Sequence, residues 1–520
     1  MIRRQRLTMK RVPHLFEYDA HEGLFGCRKA SGEQRGAFLW ALLFTLLLFA
    51  PGCVSEKRYT YPSVRAEYGR APAGQEKTGD SALLPTARPE PGKRLALGRA
   101  VRIALENNPD MDVAVARIRQ SEAMIARALA AFWPAVSVYS EYTEGEAPSA
   151  YLFKTIDQRS FPPRLNFNDP GPFENLEVGG RVHLNLFRGG RDYLRKRMAE
   201  TGRSIRELDR LSICNGLACS VIHAYFNVLA ATEYIRIARE SVNTVREELR
   251  VIRVRFRAGG VLKSDVLSLE VRLAQAREEL IRSRNGYSLA LASLANLMGL
   301  DPDTKLLLEE GGRLGVELPA SYEEGLSLAI AVRPELEKAR LSVIRSRMGI
   351  DAARGEYLPR VDAQGHYYFD DEGTQFESDR ANWTMGLKLD WDLFTGGSTG
   401  ASVREAEAVL EEMLAADRKT TLSVKLDLRS AYLALEEAGA RIEVSRASVA
   451  QAEESLRLVK KQYEGGSAAV TRYLDAELDR SRTEIRAITA RYDREKARAD
   501  VARALGLWAA ETAPDSMRLP

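Results

Sequence analysis

Histidine, cysteine and clustered carboxylates are the side chains that could carry acid–base, nucleophilic or metal chemistry, and in this chain they are sparse. The 520 residues include five histidines, and no phosphate loop of the form GxxxxGK[ST] is present. His183 and His366 fall on polar faces of predicted strands and His223 on a predicted helix, where solvated or packed histidine is expected. The sequence therefore predicts a protein that is not an enzyme and has no cofactor and no metal site.

The cysteines differ in their surroundings. Cys214 and Cys219 are five residues apart on a predicted helix, about 140° around its axis, so they are not expected to pair or to share a metal and should be core residues. Cys53 instead follows an apolar run over residues 37–50, with Arg35 ahead of it. A helix needs about 20 residues to span a bilayer, so this shorter run is predicted to be an export signal.

The position of Cys53 makes this signal resemble that of a bacterial lipoprotein. The resemblance implies that residues 1–52 are a signal peptide, that Cys53 is acylated as the new first residue, and that residues 53–94 form a linker. Val54 stands where Asp would imply retention at the inner membrane, so the resemblance implies the outer membrane. A plain secretory signal or an uncleaved anchor are the alternatives.

Net charge excludes one class of partner. The chain carries a formal charge of +4, and the first 52 residues hold eight Lys and Arg against four Asp and Glu. The remainder is therefore balanced, whereas binding to nucleic acid needs a concentrated basic face. No nucleic-acid partner is predicted.

Two nearly identical five-residue motifs, called the glycine words below, indicate an internal duplication. "LFRGG" ends at Gly190 and "LFTGG" at Gly397, 207 residues later, and ahead of these words Pro109 and Pro134 match Pro334 and Pro359 at an offset of 225. The first copy thus carries 18 extra residues, in a Pro- and Asn-rich interval that is predicted to be a loop. We predict repeats over 95–300 and 320–508, an inter-repeat linker over 301–319 and a tail over 509–520.

Each copy contains two segments in which apolar and polar residues alternate, less cleanly at 135–144 than in the other three. The clearest is "WTMGLKLDWDLF" (383–394), and the others lie at 135–144, 178–187 and 361–370. Ten residues is the length of a tilted membrane-spanning strand, although a half-buried soluble sheet alternates in the same way. Four strands cannot close a barrel and an open edge cannot lie in lipid, so either the sheet is soluble or several chains combine.

Long helical stretches follow the glycine words. Residues 191–258 contain no proline and would extend roughly 100 Å as a helix. A coiled-coil seam runs through Val242, Val245, Leu249, Ile252 and Phe256. The chain is expected to turn back at Gly259, and in the second copy at Gly466, so that each copy forms a helical hairpin.

The order and spacing of these parts resemble the TolC-like outer membrane factors, also called outer membrane efflux proteins, and specifically their lipoprotein branch. The carrying motifs are "FRAGGVLKSDVLSLEVRLAQAR" (256–277) and "YEGGSAAVTRYLDAELDRSR" (463–482). The resemblance implies a mainly α fold with membrane β structure, in which helical hairpins form an α-barrel tunnel and four strands per chain contribute to a 12-stranded β-barrel of a homotrimer. It also implies that strand becomes tunnel helix at two glycine words, whose junction residues are Phe187, Gly189, Gly190, Phe394, Gly396 and Gly397.

The function implied is that of an outer membrane exit duct. Such a duct passively conducts substrates that reach it from an inner-membrane pump through a periplasmic adaptor, and it contacts outer membrane lipid. The family pattern places a gate carboxylate six residues after each tip glycine and another at nine in the second half. Asp265, six after Gly259, and Asp475, nine after Gly466, are therefore gate candidates. Arg472, six after Gly466, departs from the pattern. Adaptor contact is expected at Gly259, Gly260 and Gly466.

Two alternatives remain open at this level. Asp265 lies near a predicted helix start, where an acidic side chain caps free backbone N–H groups without gating anything. The whole chain could also be a non-conducting periplasmic coiled-coil structural or adaptor lipoprotein, although adaptors normally carry one helical hairpin and lack duplicated amphipathic strands.

Overall fold

The computed structural model describes residues 61–68, 89, 92–310, 315–373 and 380–508. The predicted signal peptide, the predicted acylation site Cys53, most of the linker over 53–94 and the tail over 509–520 lie outside these residues. The chain divides into two compact units. Of the described residues, the first comprises 61–68, 136–182, 365–373 and 380–386, and the second comprises 89, 92–135, 183–310, 315–364 and 387–508.

Four strands form one sheet in the order β1-β2-β3-β4. Each predicted alternating segment corresponds to one strand, so the two predicted β-hairpins are confirmed. The strands are β1 Ala135–Gly145, β2 Phe173–Arg188, β3 Arg360–Asp371 and β4 Ala381–Asp390. Strands of 10 to 16 residues are long enough to cross the hydrocarbon region of a bilayer when tilted.

Two details of the predicted strands were wrong. β2 begins at Phe173 rather than at residue 178. β4 ends at Asp390, so Trp391 lies beyond the strand, and its indole N–H donates to the carbonyl of Tyr357 at 3.0 Å. That hydrogen bond fixes the chain where it leaves the sheet. An alternating sequence pattern alone cannot predict such a contact, so it overestimates the length of the strand.

The helices repeat in the same order in both halves. Besides a short N-terminal helix, α1 (Tyr61–Tyr68), each repeat has a short helix, a helix that ends before a strand, a helix of 67 residues and a return helix. In the first repeat these are α2 Leu97–Asn107, α3 Pro109–Leu129, α5 Arg191–Arg257 and α6 Lys263–Leu297. In the second they are α7 Tyr322–Val332, α8 Pro334–Arg354, α9 Ser398–Glu464 and α10 Val470–Leu505.

An additional helix, α4 (Pro148–Asp157), occupies the interval that was predicted to be a loop. This prediction was wrong because Pro148 opens the helix at its first position, where a missing N–H costs nothing. The next residues, "SAYLFKTI", contain no helix breaker. The Pro- and Asn-rich residues that suggested a loop follow α4 rather than interrupt it.

Local chemistry explains the helix boundaries. Pro109 and Pro334 stand at the first positions of α3 and α8, as expected for residues with a fixed φ and no N–H. The side chain of Asn108 accepts a hydrogen bond from the N–H of Asp110 at 2.8 Å and so caps α3. The amide nitrogen of Asn108 also donates to the carbonyl of Leu297 at 2.9 Å, which ties the start of α3 to the end of α6.

The core of the helical unit confirms the predicted seam over most of its length. Val242, Val245, Leu249 and Ile252 are buried against α6 and α10, whereas Phe256 is 41% exposed. Among the described helices, α5 has an apolar window long enough to cross a membrane by composition, yet 72% of that window is buried within the chain. α5 is therefore a core helix of this unit.

Candidate functional site

One face of the sheet is apolar, and none of the described residues covers it. Along β4, Trp383, Met385, Leu387 and Leu389 are each between 64% and 82% exposed, and Val138 of β1 is 82% exposed. Such a continuous apolar surface is rare on a soluble monomer and marks contact with lipid or with another chain. The alternation predicted from the sequence thus places apolar side chains where hydrocarbon could cover them.

The opposite face of the sheet is polar and hydrogen-bonded. The hydroxyl of Tyr139 on β1 donates to a carboxylate oxygen of Glu177 on β2. The guanidinium of Arg181 lies 3.6 Å from the centre of the Tyr139 ring, a cation–π contact. On the same face, Nε2 of His183 lies 3.5 Å from Oδ1 of Asp362. This face is suited to water, and histidine serves here as a polar partner, as predicted.

Helix α4 lies on this polar face. The ammonium group of Lys154 contacts a carboxylate oxygen of Glu177 at 2.6 Å and one of Asp370 at 2.9 Å. Asn175 donates to Asp370 at 2.7 Å, and Gln158 donates to Asn175 at 2.8 Å. The sequence analysis missed these residues, since polar side chains in an assumed loop give no periodic signal.

The two glycine words adopt the same backbone conformation. All four junction glycines, Gly189, Gly190, Gly396 and Gly397, have φ between 63° and 86°, a region that other residues rarely enter. A Cβ at Gly189 would lie 2.1 Å from the carbonyl oxygen of Gly355, whereas nothing lies near Gly396. The predicted change of backbone direction therefore occurs at both words, but only the first word packs closely against its neighbour.

Phe187 and Phe394, the aromatic residues of these words, are 42% and 88% exposed. Neither has the burial of a core residue. Their predicted role at the boundary between strand and tunnel stays a prediction.

The helical hairpins turn at the predicted glycines. Gly259 and Gly466 have φ values of 75° and 76°, and each follows the last residues of a 67-residue helix. Gly260 has no positive φ and is exposed. The two tips are thus conformational copies of one another, as the repeat predicted.

The gate candidates have unequal surroundings. Asp265 is half-buried, and its Oδ2 accepts a hydrogen bond from the N–H of Leu262 at 3.3 Å at the start of α6. Arg472 and Asp475 are exposed on α10, and Asp475 borders a shallow groove between α6 and α10 together with Arg272. A capping function is therefore present at Asp265 whether or not it also gates.

A buried ion pair joins the two hairpins near their tips. Arg272 of α6 and Glu477 of α10 lie 3.2 Å apart, with side chains only 14% and 1% exposed. Ser481 donates a second hydrogen bond to Glu477 at 3.3 Å. Close by, the rings of Tyr463 and Tyr473 stack with centroids 5.3 Å apart. The ion pair therefore joins the two hairpins, and the aromatic stack packs the two helices of the second hairpin against each other.

Three metal-ligating side chains meet elsewhere in the helical unit. Cys219 and His223 of α5 and Asp500 of α10 have ligand atoms within 4.8 Å of one another. Cys214 is buried at 3.6 Å from the sulfur of Met111 and belongs to a different environment. Sequence spacing could suggest Cys219 and His223, one helical turn apart, but not Asp500, which is 277 residues further along the chain.

A family model described as "Outer membrane efflux protein" matches residues 100–300 and 325–507. The chain belongs to this family. The two matched ranges correspond to the two repeats, and the predicted family, fold class and outer membrane location are confirmed. Membership of the lipoprotein branch stays a prediction. The function predicted with them, an outer membrane exit duct of efflux or secretion systems, is confirmed at the level of the family.

Several curated relatives align over much of the chain. Protein CyaE of Bordetella pertussis is 25% identical over 434 residues, covering 80% of this chain and 85% of the relative. The alkaline protease secretion protein AprF of Pseudomonas aeruginosa is 28% identical over 331 residues, covering 61% of this chain and 65% of the relative. The pyoverdine export outer membrane protein OpmQ of the same species is 23% identical, covering 78% and 83%.

Solved structures show the same fold. The outer membrane channel CmeC of Campylobacter jejuni superposes with a TM-score of 0.69 at 17% identity, covering 79% of this chain and 85% of that one. The outer-membrane channel OprN superposes with a TM-score of 0.68 at 20% identity, covering 84% and 99%. At these identities the likeness establishes the fold alone.

The buried ion pair at the tips of this family member generates a stability prediction. Replacing Arg272 with Ala should destabilise the tips by about 3–5 kcal/mol, because Glu477 is left buried without its partner. Replacing both residues together, Arg272→Met with Glu477→Leu, should recover most of the loss. The helical melting temperature followed by circular dichroism measures both effects.

The matched control is Arg250→Ala, which removes a guanidinium from an exposed pair with Glu247 at 2.9 Å. Exposed pairs contribute little, so its melting temperature should stay near that of the parent. Equal losses in the Arg250 and Arg272 variants would contradict the assignment of a buried pair.

Proposed function

We propose that this protein acts as a homotrimer that passively conducts substrates handed to it by a periplasmic adaptor and an inner-membrane pump. The observation that carries the proposal is the two-faced sheet. Its apolar face suits lipid and its polar face suits a water-filled lumen, as in outer-membrane barrels. A lipid anchor at Cys53, outside the described residues, is part of the same proposal.

Open sheet edges support the association of several copies. β1 and β4 are the edge strands of the four-stranded sheet, and each presents unpaired backbone N–H and C=O groups along one side. Such groups are too costly to leave unpaired in hydrocarbon. Pairing β4 of one copy with β1 of the next satisfies them, and three copies supply twelve strands, enough for an open lumen.

The helical unit supports the same association independently. α9 carries a stripe of exposed apolar side chains that recur on one face, since their spacings are close to multiples of 3.6 residues. The stripe consists of Leu422, Leu426, Leu433, Val444 and Leu458. An exposed apolar stripe on a long helix is stabilised when another helix packs on it and removes it from water.

Comparison with the first repeat indicates which helix covers the stripe. At the offset of 207, Leu433 and Val444 correspond to Phe226 and Ile237 of α5, which are both 1% exposed. α5 packs on its own return helix α6 and also on α10, where Phe226 meets Tyr492 with ring centroids 6.1 Å apart. In the first repeat, the long helix is thus covered by the return helix of the other repeat. If the same holds for the second repeat, the return helix α6 of a second copy covers the stripe on α9.

A head-to-tail contact of this kind closes into a ring, and mutation of the stripe tests it. Leu426→Asp combined with Leu433→Asp should convert the trimer to monomers, because two charges are placed at an apolar contact, while each monomer keeps its helical content. Native mass spectrometry in detergent measures the oligomer. Arg446→Asp, an exposed position on another face of α9, is the control, and a trimer that survives the double substitution would contradict the proposed interface.

We further propose that the hairpin tips form the periplasmic entrance. Gly259, Gly260 and Gly466 mark the surface for the adaptor, and Asp265 and Asp475 narrow the entrance as rings of carboxylates. Arg472 would pair with one of these carboxylates across the ring. The matched spacing from the tip glycines and the exposure of Arg472 and Asp475 support this proposal.

Single-channel conductance in a planar bilayer tests both the duct and its gate. Asp265→Ala with Asp475→Ala should raise the mean conductance by roughly twofold or more, because a ring of fixed charges at a constriction is removed. Asp265→Asn retains an acceptor for the Leu262 N–H, so it separates loss of charge from loss of the cap. Glu247→Ala removes an exposed carboxylate from α5, in the same hairpin as Asp265, and should leave the conductance unchanged.

Unchanged conductance in the double variant would contradict the proposed gate but not the proposed duct. No channel from any of these proteins, despite verified trimers, would favour the non-conducting coiled-coil alternative.

A further inference from the structure

Helix α4 belongs to a segment that only the first repeat possesses. The connection between β1 and β2 covers residues 146–172, whereas the one between β3 and β4 covers residues 372–380. The difference equals the 18 extra residues found by aligning the two repeats. An insertion that folds into a helix and packs on the sheet is a candidate for a function that the duplicated fold does not supply.

The insertion is anchored at one end of the sheet. The backbone carbonyl of Asp157, the last residue of α4, accepts a hydrogen bond from the side chain of Asn382 at 3.1 Å. The side chain of Gln158 donates to the carbonyl of Glu174 at 2.9 Å, and Ser160 donates to Glu372 at 3.2 Å. These partners lie where β3 ends and where β2 and β4 begin, so α4 is fixed at that end.

Lys154 provides the charged part of this anchor. Asp370 is fully buried, and the side chain of Glu177 is 16% exposed. The sheet therefore holds two nearly buried carboxylates whose nearest cation comes from α4. Without Lys154 these carboxylates would repel one another in a poorly solvated place, so the sheet and α4 are electrostatically dependent on each other.

The outward side of α4 is apolar. Phe153 is 65% and Ile156 44% exposed, although the helix lies on the polar face of the sheet. We propose that α4, pinned by Lys154, forms a constriction inside the barrel that is separate from the entrance at the hairpin tips. This inference rests on the proposed trimeric duct, in which the polar face lines the lumen. Three copies of Phe153 and Ile156 then form an apolar ring, which limits the passage of ions by dewetting.

The test removes the apolar side chains and keeps the anchor. Phe153→Ala with Ile156→Ala, made in the Asp265→Ala, Asp475→Ala background so that the tips are open, should raise single-channel conductance by roughly twofold or more. Because both side chains are exposed, the variant should still fold. Val138→Ala is the matched control, since it removes an exposed apolar side chain from the opposite face of the sheet, and it should leave conductance unchanged.

A second readout applies even where another constriction limits the current. Phe153→Cys, labelled with a bulky maleimide, should lose most of its conductance, because the label fills the lumen. Channels whose conductance is unaffected both by the double alanine substitution and by the label would overturn the constriction while leaving the duct intact. Absence of channels in the parent protein would instead overturn the proposed function.

A different observation carries a second inference, at the contact between α5 and α10. The sulfur of Cys219 lies 3.4 Å from Oδ1 of Asp500, and Nε2 of His223 lies 3.1 Å from the same oxygen. This Nε2 is buried but has no well-directed hydrogen bond. Thiolate, imidazole and carboxylate are the ligand types of Zn²⁺, and three protein ligands leave a fourth, tetrahedral position for water.

The charges around the cluster are compatible with a cation. A cysteine binds a metal as the thiolate, so metal binding at Cys219 releases a proton. Arg503 also lies next to the cluster, but its guanidinium is paired with Asp427 at 2.8 Å. We infer that Cys219, His223 and Asp500 form a Zn²⁺ site that ties α5 of the first repeat to α10 of the second, contrary to the absence of metal expected from the sequence.

Cobalt(II) titration of the purified, metal-free trimer tests this site. A near-ultraviolet thiolate-to-metal absorption band should appear in the parent and in Cys214→Ala, which removes a buried thiol outside the cluster. The band should be absent from Cys219→Ala, and His223→Gln should weaken binding at least about tenfold. Zn²⁺ should raise the melting temperature of the parent but not of Cys219→Ala. A folded parent without the band, or a band that persists in Cys219→Ala, would overturn the site.

Discussion

Backbone N–H and C=O groups at the edge of a β-sheet need hydrogen-bond partners, and hydrocarbon supplies none. The four strands of this chain have an apolar face that is suited to lipid, yet β1 and β4 are left as edges. A single copy therefore cannot satisfy its own sheet in a membrane. This constraint supports the proposed trimer, because strands from further copies would complete the pairing, and closure of the proposed ring would create a lumen lined by the polar face.

The helices also have a surface that a single copy leaves uncovered, but here apolar side chains rather than backbone hydrogen-bonding groups need a partner. Within one chain the first long helix, α5, is covered on two sides, while the second, α9, keeps an apolar stripe exposed. Duplication explains this difference, since the first of two adjacent repeats always has a neighbour on the side where the second has none. The sheet edges and the helix stripe are thus each incomplete within one copy, and in the proposed trimer a further copy completes each of them.

Much of this architecture could be predicted from the sequence because its signals are local or periodic. Pro109 and Pro334 mark helix starts, the two glycine pairs directly precede the 67-residue helices, and alternation predicts the two-faced sheet. What could not be predicted depends on contacts between distant residues. Lys154 contacts Asp370, which is 216 residues away in sequence, and Cys219 contacts Asp500, which is 281 residues away. No sequence periodicity predicts such pairs.

Differences between the repeats bear on how the entrance could open. Glu270 and Glu477 occupy equivalent positions, but Glu270 pairs with Arg253 of its own hairpin at 2.7 Å and is 42% exposed, whereas Glu477 is buried against Arg272 of the other hairpin. In the proposed ring, the contact between copies places Glu270 of one chain opposite the position equivalent to Arg272, which is Asp479. The buried pair that joins the hairpins within a chain therefore has no counterpart between chains. Because two carboxylates cannot replace an ion pair, the tips of the proposed trimer should part more readily between copies than within one. The proposed adaptor would then need to act only at the three contacts between copies.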